Sequence, residues 1–158
     1  MRGKKQAPKR TIQPDSRFGR VDLHKFINYI MECGKKSTAQ RVVYGAFDII
    51  EKQTKQDPLK VFDDAISKVS PQVEVRTRRV GGSNYQIPFS VQGNRQQALT
   101  FRWIIAAVKV KKGKPMAEKL AEELILASKG EGNAMRKKED VHKMAESNRA
   151  FAHFARFG

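Results

Sequence analysis

Residues 73–91 read VEVRTRRVGGSNYQIPFSV, the one stretch of this chain patterned as strand, turn and strand. Apolar residues alternate at Val73 and Val75, then at Tyr85, Ile87, Phe89 and Val91, which is the period of a half-buried strand pair. Gly81-Gly82-Ser83-Asn84 supplies the turn, because Gly and Asn tolerate the positive φ values that hairpin loops require. Pro88 cannot donate a ladder hydrogen bond, so its strand is expected at an edge with that position facing outward. Arg76, Arg78 and Arg79 fall toward the tip, where a core would not hold them. A two-stranded ribbon is marginal in water by itself. The segment therefore reads as a basic arm carried on a body.

Helical spacing dominates outside the arm. Leu23, Phe26, Ile27 and Ile30 fall at i, i+3, i+4 and i+7 of a helix beginning near Asp22 and stopping at Gly34. Ser37 caps a second helix, with Val42, Val43, Ala46, Phe47 and Ile50 inward. Asp57-Pro58 starts a third, as an N-cap followed by proline at the first helical position; its core face is Phe62, Ala65, Ile66 and Val69, and Pro71 ends it. After the arm, a fourth helix runs from about Asn94 to Val110 with Leu99, Trp103, Ala106, Ala107 and Val110 as its buried stripe. The fifth spans Met116 to Ser128, between Pro115 and Gly130. The sixth spans about Ala134 to Asn148 with Val141, Met144 and Ala145 inward. The expected fold is mainly α: a six-helix body with one protruding two-stranded β-hairpin arm and a basic disordered N-terminal tail. Residues 21–150 form a single helical domain that includes the arm, 1–20 are a basic N-terminal extension, and 151–158 are a C-terminal tail.

Charge narrows the function. Lys and Arg total 32 against 16 for Asp and Glu, a net +16 on 158 residues, and self-repulsion on that scale points to a polyanionic partner. No run approaches the length of apolar residues that a spanning helix needs, so nucleic acid is favoured over a membrane. The 39% of hydrophobic residues excludes a wholly disordered chain. The single cysteine, Cys33, leaves no disulfide framework, and His24, His142 and His153 lack metal-binding spacing. No metal or cofactor is expected. The basic N-terminus lacks the apolar core of a secretory signal, which makes the cytoplasm the expected compartment.

The cations concentrate in the tail, at Arg2, Lys4, Lys5, Lys9 and Arg10, and at helix junctions. Lys35 and Lys36 lie between the first two helices; Lys109, Lys111, Lys112 and Lys114 surround Gly113 between the fourth and fifth; Arg95 and Arg102, two helical turns apart, share a face. One footprint results only if the fold brings those junctions together. Gly34-Lys35-Lys36-Ser37 is no phosphate-binding P-loop, since Tyr29 stands where that motif needs glycine and no strand precedes it. Gly130 and Gly132 read as turns, with Met135 in place of the third glycine of a dinucleotide fingerprint. No Ser/His/Asp, Cys/His or paired-carboxylate arrangement has a supporting context, which argues against an enzyme acting on RNA. A DNA-architectural protein is the main rival, because basic β-arms also enter minor grooves, although the proline here lies at the arm's base and no dimerisation seam is evident.

Several ordered blocks carry a resemblance. Phe26-Ile27-Asn28-Tyr29, Gly34-Lys35-Lys36-Ser37 and Val42-Val43 are followed by Val80-Gly81-Gly82-Ser83-Asn84-Tyr85-Gln86-Ile87-Pro88 at the hairpin tip. Then come Ala98-Leu99, Arg102-Trp103-Ile104, Met116-Ala117-Glu118 with Leu120-Ala121, Lys138 through Glu146, and Asn148 through His153. In these the chain resembles the bacterial family of small-subunit ribosomal protein seven, over essentially its full length. The last five residues depart from the ending common in that family. The resemblance implies a structural constituent of the small ribosomal subunit and a primary binder of its ribosomal RNA, nucleating assembly of the 3′ major domain, or head. It implies a position at the subunit interface near the decoding centre, with the arm and last helix near exit-site tRNA and mRNA, and contacts with small-subunit proteins nine and eleven. The expected ribosomal RNA contacts are the five tail cations, Lys35, Lys36, Arg95, Arg102, Lys109, Lys111, Lys112 and Lys114. Those expected near tRNA and mRNA are Arg76, Arg78, Arg79, Gly81, Gly82, Lys137, Lys143 and Arg149.

Overall fold

The computed structural model describes residues 11–156. The chain runs α1 (Val21–Ile30), α2 (Lys36–Thr54), α3 (Pro58–Val69), β1 (Val73–Val80), β2 (Ser83–Ser90), α4 (Gly93–Val110), α5 (Met116–Lys129) and α6 (Asn133–Ser147), closing with a 3-10 helix (Arg149–Arg156). The fold is mainly α with one two-stranded antiparallel sheet, as the patterning implies.

The core forms where the apolar stripes converge. Phe26 of α1 meets Phe62 of α3 and Phe101 of α4 edge-on, with centroids 5.2 and 5.1 Å apart, and Phe47 of α2 closes on Phe62 at 5.7 Å. Such edge-to-face pairs add to the burial of four fully enclosed rings. Helix α5 packs against α2, α3 and α4 through Leu120, Ala121, Leu124 and Ala127, all buried.

Local chemistry sets the boundaries. Asp57 accepts the Leu59 amide at 2.9 Å, and Pro58 opens α3. Helix α5 ends at Gly130 in the left-handed conformation, with the Glu131 amide donating back to the Leu126 carbonyl. Three expectations shift: on α6 only Ala145 of the expected inward residues is buried, with Val141 half-buried and Met144 exposed. Ser37 lies inside the first turn of α2, which starts at Lys36 without a side-chain cap. The buried stripe of α4 is Leu99, Phe101, Ile104, Ile105, Ala107 and Val108, while Trp103 is half-buried, Ala106 exposed and Val110 73% exposed. From Ala98 to Val110 this helix is apolar around most of its circumference, so spacing alone does not choose the face that α1, α3, α5 and α6 cover.

The segment before α1 is anchored. Asp15, only 3% exposed, accepts the Arg17 and Phe18 amides and the Tyr44 hydroxyl, the last at 2.8 Å, while Phe18 sets its ring against Phe47. Arg17 pairs with Asp48 at 2.8 Å, and Arg20 grips Asp63 and Asp22. Residues 15–20 thus belong to the body. The expected RNA contacts Arg2, Lys4, Lys5, Lys9 and Arg10 lie outside the described residues.

The arm turns on two residues, Gly81 (φ 56°) and Gly82 (φ 91°), which is the doubly left-handed geometry that matches strand twist; Ser83 and Asn84 already belong to β2. Its register pairs Glu74 with Phe89, Arg76 with Ile87 and Arg78 with Tyr85. Directly opposed residues share a face, so the aromatic side of β2 faces charged residues of β1, and Val73 and Val75 lie on the other side beside Ser90 and Pro88.

Candidate nucleic-acid interface

The two lysine-bearing junctions meet. Lys109, in the last turn of α4, forms an ion pair with Glu32 in the turn after α1. Between these junctions lies an open groove of about 560 Å³ whose walls include Lys35, Lys109, Lys119 and Met116. Lys36, at the start of α2, reaches back to α1, its ammonium donating to Nε2 of His24 at 2.7 Å. Left-handed geometry at Cys33 (φ 51°) and Gly34 (φ 72°) makes the sharp turn that lifts Lys35 to the surface.

The cations differ in how free they are to meet phosphate. Besides Lys109, the structure pairs Lys111 with Glu123 at 2.8 Å, Lys114 with Glu122, Arg95 with Glu74 at 2.8 Å, Arg76 with the same Glu74, and Arg149 with Glu146 at 3.3 Å. Lys35, Lys112, Arg102, Arg78, Arg79, Lys137 and Lys143 have no carboxylate partner among the described residues. Arg102 lies 5.9 Å from the Tyr29 ring centroid and Arg78 lies 5.2 Å from that of Phe89. A ring orients a guanidinium without neutralising it, so both charges stay available to phosphate.

Lys111 has a structural task. Glu123 of α5 is fully buried, and its Oε1 accepts the Ala134 amide at 2.9 Å, capping α6 from a neighbouring helix. Its Oε2 faces the Lys111 ammonium as a charge contact and has no aligned hydrogen bond. Gly132 (φ 96°) is required beside it, since a Cβ there would stand 2.9 Å from Oε1.

Glu74 does comparable work at the base of the arm. It is 5% exposed and holds Arg76 of its own strand and Arg95 from α4. Burial alone would raise its carboxyl pKa, but the hydrogen bonds from Arg95 and Arg76 outweigh that and hold it below the usual glutamate value. A depressed folded-state pKa adds stability above the unfolded value of about 4.3, and that stability is lost as pH falls through the folded value. Hydrogen exchange of the β1–β2 amides is therefore expected to accelerate selectively as pH drops below about 4, after correction for intrinsic rates. In Glu74→Gln this extra acid sensitivity disappears; its persistence would show that another group controls the arm.

Toward its tip the arm rests on the C-terminal segment. Tyr85 lies 5.2 and 5.4 Å from the rings of Phe151 and Phe154, and the arm also packs on α6. Arg79, Gly81 and Gly82 are exposed at the tip, and Lys137, Lys143 and Arg149 are exposed along α6 and just beyond it. The paired and unpaired states of these cations were not legible from spacing. Three further residues lie on these faces, namely Tyr29, Lys25 and Lys119. Tyr29 is exposed and Lys25 bonds Gln97 of α4, so both line the α1–α4 face near Arg102. For Tyr29 and Lys25 the signal was position, since both fall off the Leu23, Phe26, Ile27 and Ile30 stripe of α1.

Among the described residues no helix is long and apolar enough to cross a membrane, and no acidic, His or Cys cluster is arranged to hold a metal. The family model described as ribosomal protein S7p/S5e matches residues 2–149. The chain belongs to this family. It is 56% identical over 151 residues to the small ribosomal subunit protein uS7 of Thermotoga maritima, covering 96% of this chain and 97% of that one. Similarity to the uS7 proteins of Methylibium petroleiphilum, 51% identical over 96% and 97% of the two chains, and Afipia carboxidovorans, 55% identical over 94% and 95%, is of the same extent. Members of the family are ribosomal proteins and not enzymes, which removes the enzyme reading, and membership displaces the DNA-architectural one.

Proposed function

We propose that this chain is a structural constituent of the small ribosomal subunit that binds ribosomal RNA of the 3′ major domain and nucleates assembly of the head. The observation that carries this reading, beyond family membership, is the meeting of the α1–α2 and α4–α5 junctions, with Lys35 and Lys112 without a carboxylate partner among the described residues and Arg102 held over Tyr29. A rigid body presenting cations at fixed spacing can hold RNA helices that would otherwise repel one another. It reads their shape, since side chains do not enter the deep major groove of A-form RNA. Binding to a 3′ major-domain fragment and to length-matched duplex DNA, each titrated across salt, tests this. Tight RNA binding that survives physiological salt while DNA binding collapses supports it; parallel slopes and equal affinities would reduce the protein to a nonspecific polycation.

The arm has a separate role in this reading. Arg76, Arg78 and Arg79, with Lys137, Lys143 and Arg149, approach exit-site tRNA and mRNA at the subunit interface near the decoding centre, while other surfaces meet small-subunit proteins nine and eleven. Arg78 and Arg79 are the arm arginines free of carboxylates among the described residues. Deleting residues 77–84 is expected to leave ribosomal RNA affinity within about twofold while weakening exit-site tRNA retention in reassembled subunits. Loss of RNA binding in that deletion would contradict the division.

A further inference from the structure

The groove between the α1–α2 turn and the α4–α5 loop has features that phosphate contact does not explain. A surface that only neutralises phosphates needs exposed cations and no apolar concavity. Here the lining combines Ile30, Met31, Ala39, Val42 and Met116 with a rim of Lys35, Lys109 and Lys119. Its volume of about 560 Å³ falls within the range, roughly 300–1,000 Å³, of sites that enclose small ligands.

We infer that this groove receives one unstacked base of the bound RNA, its sugar-phosphate held by Lys35 and Lys119 at the rim while Lys109 stays paired with Glu32. The inference rests on the ribosomal RNA reading and names a contact within it. Three rim cations against the single carboxylate of Glu32 leave an excess of positive charge at the mouth, which suits a phosphodiester and disfavours an acidic peptide. The apolar floor offers van der Waals contact to a base face, and methionine is the most adaptable of the apolar side chains for such a surface. Thr38 and Glu32, both in the lining, are the hydrogen-bonding groups for a base edge. Single-stranded and bulged nucleotides, whose bases can be splayed out, are what proteins read in RNA by this kind of contact.

Two features make the test direct. Cys33, the only cysteine, lines the groove and is exposed, so its alkylation rate reports occupancy. Thr38 is exposed on α2, so Thr38→Trp fills the groove without disturbing the core. With the full chain and a 3′ major-domain RNA fragment, RNA is expected to slow Cys33 alkylation at least tenfold. Thr38→Trp is expected to weaken binding about tenfold with the salt slope unchanged, since no cation is removed. Abasic substitution scanned along the RNA is expected to find one nucleotide whose loss costs the same factor in the natural protein and nothing in Thr38→Trp. Unslowed alkylation in the complex, or additive losses at every abasic position, would overturn the inference while leaving the ribosomal reading intact. Failure to bind the fragment at all would strike that reading first. Protection of Cys33 only when other small-subunit proteins are added would assign the groove to a protein partner and overturn the base assignment.

Discussion

Lys111→Met is expected to destabilise the protein by about 2–3 kcal/mol and leave the salt dependence of RNA binding unchanged. The first half follows from Glu123, which is 0% exposed and relies on Lys111 for its counter-charge. Removing one partner of a buried pair leaves an uncompensated charge, which costs roughly 3–5 kcal/mol when both groups are enclosed. Lys111 keeps about a fifth of its side chain in solvent, so water already screens part of the interaction and the lower figure applies. Urea denaturation reads the loss as a lower midpoint at constant slope. A double-mutant cycle isolates its cause: Glu123→Gln removes the charge while keeping an oxygen for the Ala134 amide, so Lys111→Met in that background is expected to cost much less than alone. The second half follows because an ammonium committed to a buried carboxylate releases no counterions on binding RNA. An unmoved urea midpoint with a shallower salt slope would return Lys111 to the RNA footprint.

Such a residue shows where sequence reading stops. The arm was legible because alternation within each strand and a Gly-Gly turn imposed local requirements, but the register sets Val73 and Val75 on the face opposite Tyr85, Ile87 and Phe89, a pairing that alternation alone does not fix. Helix limits were legible for the same reason: Asp57-Pro58 and Gly130 act within a single turn of backbone. The α4 stripe was misassigned because its face is chosen by four packing helices, α1, α3, α5 and α6, three of them not adjacent to it in the chain. The pairing of cations is harder still. Lys111 and Lys112 are neighbours with the same chemistry, yet one faces a buried glutamate on α5 and the other has no carboxylate partner among the described residues. Lys111 is the residue that closes α4, and the packing of α5 against α4 brings Glu123 to it and not to the next residue. Glu74 was hidden similarly, since its partner Arg95 stands 21 positions away on another element.

Replacing Lys35, Arg102 and Lys112 together by alanine is expected to lower affinity for the 3′ major-domain RNA about a hundredfold and reduce the magnitude of its salt slope by about two. Each is unpaired with carboxylate among the described residues, and every phosphate left without its cation takes somewhat less than one counterion out of the slope. The informative comparison removes whole ion pairs. Lys109→Ala with Glu32→Ala, and Lys114→Ala with Glu122→Ala, leave net charge unchanged, and both pairs are substantially exposed. Exposed pairs contribute little to folding, typically under about 1 kcal/mol, so these variants are expected to fold normally and keep the slope within about half a unit. An RNA phosphate could still draw either lysine away from its glutamate, since the pair is weak. The released carboxylate would then stand beside that phosphate, and the repulsion would offset the new interaction. A fall in slope as large for the two paired lysines as for the three unpaired cations would show that the RNA breaks these pairs, and the footprint would then extend to Lys109 and Lys114.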